Sequence, residues 1–417
     1  MSTRTPPRTE TPKKVPDKEP VPRTAPGSVG GVVVVAPRGA ERLKAGHVWV
    51  YRSDMVSAKD VAPGAVVPVH DHRGKFLGTA LYSSSSQIAV RMISHEPVPD
   101  FPALLRERIR EAVAYRERVV SDTDAYRLVF SEGDFLPGLI VDRYHDVLSL
   151  QILTQAMDAE PVRKDIVEQL QELLKPAAIA ERVDARVREL EQLPARASGL
   201  VAGERGNTVF NMNGVRFHFD ALEGQKTGAF LDQRENYAAA VEDARGETLD
   251  MFCYQGGFAL HLEKKATKVT GVDSSRPALE VAYKNALLNQ SEIEWIEANA
   301  FDLLKDYSQA GRQYDTIVLD PPAFAKTRKN LETAMRGYKE LNLRALKMLR
   351  PGGTLVTCSC SYHLGESEFV EVVADAARDA HRTVRLVEKR GAAKDHPVVL
   401  GVPETSYLKC LIMSVSN

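Results

Sequence analysis

Leu249-Asp250-Met251-Phe252-Cys253-Tyr254-Gln255-Gly256-Gly257-Phe258 reads as the end of an apolar strand, a glycine turn and the start of a helix. The same alternation continues to the C-terminus. Strands are predicted at Thr248–Phe252, Val269–Val272, Ile293–Ile296, Thr316–Leu319, Thr354–Cys360 and Val384–Glu388. Helical spacing separates them, clearest over Pro277–Asn289, Leu331–Leu349 and Glu366–Ala380. Strands alternating with helices predict a Rossmann-like, doubly wound parallel sheet, here over residues 221–417. The last strand, Tyr407–Val415, follows a long loop instead of a helix and is expected to run antiparallel.

Ligands of such sheets sit outside the C-terminal strand ends, near the point where strand order reverses. Four of those ends carry matching signals. In the first, Gly256 and Gly257 let backbone approach a ligand, Asp250 suits an ammonium group, and Phe252 and Tyr254 line the turn. The second ends in Asp273 and Ser274, an acid placed to bond a ribose diol. The third leads to Asn299-Ala300-Phe301-Asp302, suited to an exocyclic amino group and a stacked ring. The fourth is Asp320-Pro321-Pro322-Ala323-Phe324. A dinucleotide fingerprint needs G-x-G-x-x-G. The loop is instead Tyr-Gln-Gly-Gly-Phe with an acid before it, unwelcome beside a pyrophosphate and welcome beside a methionine ammonium. The set points to S-adenosylmethionine.

Thr354-Leu355-Val356-Thr357-Cys358-Ser359-Cys360-Ser361-Tyr362-His363 follows the turn Arg350-Pro351-Gly352-Gly353 and ends in two thiols. Two residues apart, they share a face if the strand stays extended. Cys360 is the candidate nucleophile; burial in the core is the alternative for either thiol. A Cys-x-Cys metal site lacks a second ligand pair, so no metal is assigned.

The chain has 417 residues, is 43% hydrophobic and 27% charged, and has net charge −1, so nucleic-acid binding would need a local basic patch. No apolar run reaches the roughly 18 residues of a membrane span. Four cysteines without disulfide-framework spacing favour a reducing, cytoplasmic setting. Residues 1–29, rich in Pro, Lys, Arg and Thr, read as a disordered tail without a secretory h-region. Closely spaced short strands over 30–99 suggest a small barrel. Its Arg38, Arg42, Lys44, Arg52 and Arg91, with Trp49 and Tyr51 among them, form either an RNA-binding face or scattered solvated charges. Residues 100–220 read as an α+β middle domain without derivable chemistry. Its helix from Phe101 to about Asp122 places Leu104, Leu105, Ile109 and Val113 on one side.

Several stretches together resemble the bacterial large-subunit (23S) rRNA methyltransferase I family, whose members make 5-methylcytosine. They are Gly46-His47-Val48-Trp49-Val50-Tyr51, Gly133-Asp134-Phe135-Leu136-Pro137-Gly138-Leu139-Ile140-Val141-Asp142-Arg143, Gln225-Lys226-Thr227-Gly228-Ala229-Phe230-Leu231-Asp232-Gln233-Arg234, Asp395-His396-Pro397 and Tyr407-Leu408-Lys409. The resemblance runs from about Gly31 to the C-terminus. It implies a PUA-like start, a cofactor pocket bordered by the segment containing Phe230, Cys360 as nucleophile, 23S rRNA as partner, and leaves room for a homodimer. Ala323 stands where many other RNA cytosine-5 methyltransferases carry a second Cys, as expected for a single-cysteine arrangement. Cys358 is then a packing residue.

Carbon 5 of cytosine is a poor nucleophile until a thiolate adds to carbon 6 and makes an enamine. Asp320 is placed to hold the cytosine amino group and protonated ring nitrogen. A base must later remove the carbon 5 proton; Asp395 and His396 are weak candidates beside a purely structural turn. The cytosine must also be unstacked. Lys326, Arg328 and Lys329 either contact phosphates or form a solvated loop. Two other readings remain: methylation of another base position, such as a guanine nitrogen, with Phe324 stacking and no thiol, and an RNA-binding module whose methyltransferase half is structural.

Overall fold

A computed structural model describes residues 31–222, 229–325 and 327–417. The tail, the Gln225–Gly228 part of the pocket-bordering segment and Lys326 lie outside the described residues.

The first unit is a six-stranded sheet with one short helix. Its elements are β1 (Val32–Val35), α1 (Pro37–Lys44), β2 (Trp49–Tyr51), β3 (Met55–Lys59), β4 (Val66–Asp71), β5 (Phe76–Tyr82) and β6 (Ile88–Ser94). The order is β2-β6-β5-β4-β1-β3. Alternating valines build its core: Val33, Val35, Val67 and Val69 are buried while their neighbours are not. Strand β3 was not read from the sequence, because Met55-Val56-Ser57-Ala58-Lys59 is mostly exposed and lacks a clean alternation.

Of the five basic residues offered for an RNA-binding face, Arg42, Arg52 and Arg91 have partners within the protein. Arg42 bonds Asp54 at 2.8 Å. Arg52 donates to the carbonyls of Ser83 and Ser86. Arg91 lies between Glu191 and Glu132, and the Trp49 indole N–H donates to Glu132 at 2.9 Å. Short strands leave carbonyls and acids at their ends, and these arginines close them. Arg38 and Lys44 stay exposed.

The second unit starts with α2 (Phe101–Val119) and pairs β7 (Ala125–Phe130), β8 (Leu139–Tyr144), β9 (Val147–Ile152), β10 (Ala178–Glu181) and β11 (Gly199–Gly203), with α3 (Glu160–Leu174) and α4 (Ala185–Leu190) between strands. Leu105 and Ile109 of α2 are fully buried in this unit's core. The hairpin β12 (Asn207–Met212) and β13 (Val215–Asp220) follows. Its Phe210, Phe217 and Phe219 pack into the same core as Leu260 and Val356 of the C-terminal sheet.

That sheet contains β14 (Gly246–Met251), β15 (Ala266–Asp273), β16 (Ile293–Glu297), β17 (Tyr314–Leu319), β18 (Leu349–Ser359), β19 (Thr383–Arg390) and β20 (Lys409–Ser416). Helices α5 (Arg234–Asp243), α6 (Gly257–Leu262), α7 (Arg276–Asn289), α8 (Ala300–Gln309), α9 (Leu331–Met348) and α10 (Glu366–Asp379) join them. The order is β16-β15-β14-β17-β18-β20-β19, with β20 antiparallel to both neighbours. Strand order reverses between β14 and β17, which places a ligand cleft at Phe252 and Asp320. Strand β18 begins at Leu349, so the Arg350–Gly353 turn read from the sequence is a bulged strand start. Among the described residues no helix is long and apolar enough to cross a membrane.

Candidate active site

The cleft is a cavity of about 1510 Å³. Small-molecule pockets typically measure roughly 300–1,000 Å³, so it can hold more than one ligand. Phe230, Phe252, Tyr254, Asp273, Ser274, Asp320 and Cys360 all line it. The β12–β13 hairpin supplies another wall through Asn207, Thr208 and His218, with Arg205 just before it. The middle segment therefore does reach the site, which its sequence did not suggest.

The loop after β14 is tightly wound. Phe252 and Tyr254 have φ of +65° and +50°, and Gly256 has +85°. Positive φ at two non-glycine residues is strain kept at functional loops. A Cβ at Gly256 would sit 2.8 Å from the Trp295 ring. Asp273 clamps this loop to the next one: its carboxylate accepts from the N–H groups of Tyr254 at 2.9 Å and Ser275 at 2.8 Å. Ser275 in turn caps α7, with Pro277 in the first turn.

Asp250, Gly256, Asn299 and Asp302 are not among the lining residues. Asp250 is completely buried beneath the loop, where one carboxylate oxygen accepts from Ala259 N at 2.9 Å. It thus fixes the start of α6 and does not face the cavity. Burial pushes its carboxyl well above the usual range, opposed by the Ala259 bond and reinforced by Asp320 and Asp273. Its Oδ1 has no partner among the described residues. Asp273, which lines the cavity at the next strand end, fits a cofactor carrying a ribose diol, while Asp250 acts on the pocket through the loop it holds. Asn299 caps α8 by accepting from Phe301 N at 2.9 Å, and Asp302 is exposed in that helix's first turn.

Cys360 is the first residue beyond β18, and its sulfur lies 3.9 Å from the Pro321 carbonyl oxygen. Burial and then the charges of Asp320 and Asp232 push its thiol up to about 11, against the opposing pull of Lys409. Cys358 is fully buried and pairs in register with Cys410 of β20. All four cysteines are free. Burial and the Asp232 charge raise the Asp320 carboxyl to about 7, while Gln233 Nε2 donates to its Oδ1 at 3.0 Å. Gln233 is held by Asn236 at 2.6 Å, and Asn236 by Arg390 at 3.0 Å. Lys409 Nζ donates to the carbonyls of Ser361 at 2.7 Å and Tyr407 at 2.8 Å, and burial lowers it to about 8.

Asp395 and His396 are removed from the list of bases. Both are buried away from the cavity. Asp395 accepts from Arg127 N at 2.8 Å and Arg234 at 3.1 Å, and His396 packs on Phe130 with ring centroids 5.1 Å apart. They lock the middle sheet to α5. Arg328 and Lys329 sit in an exposed turn. Sequence reasoning placed Asp232 and Gln233 within the segment bordering the cofactor pocket but gave no individual role to them, to Tyr407 or to Lys409. The stretches Asp232-Gln233-Arg234 and Tyr407-Leu408-Lys409 were the signal, two polar clusters with no core pattern.

Comparison with known proteins gives two family matches: a PUA-like domain over residues 33–95 and an S-adenosylmethionine-dependent methyltransferase over residues 132–413. The Ribosomal RNA large subunit methyltransferase I of Shewanella denitrificans is 40% identical over 390 residues, 90% of this chain and 98% of that protein. Its namesake from Photobacterium profundum is 36% identical over 389 residues, 89% and 96% of the two chains. Among solved structures, SMU.776 complexed with SAH matches with a TM-score of 0.79 at 20% identity, over 92% of this chain and 99% of that one. At that identity the match shows a shared fold.

Proposed function

This chain belongs to the S-adenosylmethionine-dependent methyltransferase family, alongside the Ribosomal RNA large subunit methyltransferase I proteins, and from that premise we propose that it methylates carbon 5 of a cytosine in 23S rRNA through a covalent bond to Cys360. The observation that carries this reading is the convergence of a thiol, Cys360, and a carboxyl, Asp320, in one cavity with the strand ends suited to the cofactor.

S-adenosylmethionine supplies the methyl group. Asp273, Ser274, Phe230, Phe252 and Tyr254 are the lining residues assigned to hold it, with Asp250 and Gly256 shaping the loop and Asn299 and Asp302 standing at the third strand end. The remaining work falls to Cys360, Asp320 and Lys409. At about 11, Cys360 is roughly 10⁻⁴ thiolate at pH 7. The thiol therefore has to lose its proton as the base enters, and the acceptor is Asp320 once it has passed its own proton to the base. Asp320, at about 7, carries a proton half the time at neutral pH and can give it to the ring nitrogen of cytosine. A protonated ring makes carbon 6 electrophilic, and the thiolate adds there. Lys409, whose charge already favours the thiolate, stabilises it.

The cavity volume left beside a cofactor accommodates a base turned out of its stack. In this reading residues 30–99 form the PUA-like RNA-contacting unit, 100–220 the middle domain and 221–417 the methyltransferase domain. The test is nucleoside analysis of unmodified 23S rRNA incubated with enzyme and cofactor. 5-Methylcytidine should form with the wild type and disappear with Cys360→Ala. Methylguanosine, or methyl transfer that survives Cys360→Ala, would replace this reading by amino-group methylation over Phe324.

A further inference from the structure

The covalent route needs a base for the carbon 5 proton. Asp220, Asp232 and Glu280 are the cavity carboxylates with no task so far, and of these Asp232 is the one next to the residue that holds Asp320 and the one whose charge acts on Cys360. We propose that Asp232, oriented by the Tyr407 hydroxyl, is the base that removes the carbon 5 proton and so releases the methylated base from Cys360. This inference rests on the cytosine-5 reading above.

Asp232 and Tyr407 line the same cavity as Cys360 and Asp320. Asp232 sits in a short turn, Leu231–Gln233, that leads directly into α5. Its backbone is tied down, with Ala393 N donating to its carbonyl at 2.8 Å. The neighbouring residue Gln233 holds Asp320, so one turn presents both groups. Tyr407 Oη donates to Asp232 Oδ2 at 2.6 Å. Burial, and next the Asp232 charge, keep the Tyr407 phenol well above its ordinary value. Tyr407 is therefore a donor and not itself the base, and its bond fixes the carboxylate in place.

Stereochemistry selects the side on which the base must stand. The thiol and the methyl donor cannot occupy the same face of the ring. When the methyl adds to carbon 5 from one face, the hydrogen is pushed to the other, the thiol's face. A base grouped with Cys360 is thus on the required side. After burial, Asp320 and Asp232 are the charges that raise the Cys360 thiol, and Cys360 in turn acts on Tyr407. These groups are neighbours. In the step itself, the C5–H bond breaks and its proton goes to the Asp232 carboxylate. That electron pair becomes the C5=C6 double bond, the C6–S bond breaks, and Cys360 leaves as a thiolate.

The experiment is Asp232→Asn, compared with wild type on RNA labelled with tritium at carbon 5 of cytosine. Without cofactor, wild type should exchange tritium into water through the reversible thiol adduct, and Asp232→Asn should do so about 10²- to 10⁴-fold more slowly. With cofactor, Asp232→Asn should accumulate a methylated RNA–protein adduct on a denaturing gel, as wild type does only with 5-fluorocytosine RNA, where no proton can leave. Tyr407→Phe should slow adduct decay by a smaller factor, with adduct formation unchanged. Calorimetric binding of S-adenosylmethionine by Asp232→Asn reports that the variant is folded. Turnover and exchange near wild-type rates, or loss of adduct formation together with cofactor binding, would overturn the assignment. If wild type itself forms no adduct with 5-fluorocytosine RNA, the cytosine-5 reading fails first, a different result from any change confined to Asp232→Asn.

Discussion

Replacing Asp320 by Asn should stabilise the cofactor-free protein above neutral pH while removing its activity. The carboxyl is raised from its ordinary 3.8 to about 7 by burial and by Asp232. A folded pKa above the unfolded one means that the folded state holds the proton between about pH 4 and pH 7 and the unfolded state does not. Stability is therefore lost as pH rises through that window, and the full cost is present at pH 8. A shift of this size corresponds to roughly 4 kcal/mol at most. Asp320 lies at the wall of an open cavity, partly exposed, so water reduces the cost to about 1–2 kcal/mol. Asn is nearly isosteric, and its amide oxygen can keep the Gln233 bond. Thermal melts of wild type and Asp320→Asn should differ by about 2–5 °C in favour of the variant at pH 8 and by almost nothing at pH 4. A variant that melts lower than wild type at pH 8, or a difference independent of pH, would refute the claim that Asp320 is held at an unfavourable charge. On the same argument wild-type methyl transfer should fall as pH rises through 7, where Asp320 loses the proton it gives to the ring.

Cys358→Ala should leave 5-methylcytidine formation intact and cost about 1–2 kcal/mol in denaturant unfolding, since it only opens space beside Cys410 in the core. Asp395→Ala should be the harsher change, about 3–5 kcal/mol, because it leaves the buried Arg234 guanidinium with Glu235 alone and the Arg127 N–H without its acceptor. Although burial opposes it, His396, Arg234 and the Arg127 N–H hold Asp395 below the ordinary carboxylate range. Its stabilisation is thus present at neutral pH and disappears on acidification, which melts of wild type and Asp395→Asn at pH 3 and pH 7 would read. Asp273→Ala should weaken S-adenosylmethionine binding about 10- to 100-fold by calorimetry, because it removes both the acid proposed to bond the ribose and the clamp between two loops.

The C-terminal sheet was legible because its strands are short apolar runs between glycine turns and well-patterned helices. Asn299, read as a cofactor contact, turned out to cap α8, as Ser275 caps α7. The antiparallel last strand followed from the lack of a crossover helix. The middle sheet was less legible. Ala178–Glu181 and Gly199–Gly203 carry small residues without alternation, and only pairing with β9 and with each other makes them strands. Side-chain roles that depend on distant partners were not legible at all. Arg91 looks like a free cation in sequence and is joined to Glu191 exactly 100 positions away only by the fold. Asp395 meets Arg127 across 268 positions. Asp320 could be named because strand ends converge in this fold, and Cys360 because the family resemblance added to that convergence, whereas Asp232 and Tyr407 reach the cavity from a turn and a loop with no such rule.

The most direct measurement is peptide mapping of the covalent complex formed with 23S rRNA containing 5-fluorocytosine and S-adenosylmethionine. A single modified peptide should carry the nucleotide on Cys360, with the transferred methyl included in its mass. A nucleotide attached to Cys358 or any other residue, or no covalent complex while methyl transfer to rRNA proceeds, would contradict the account.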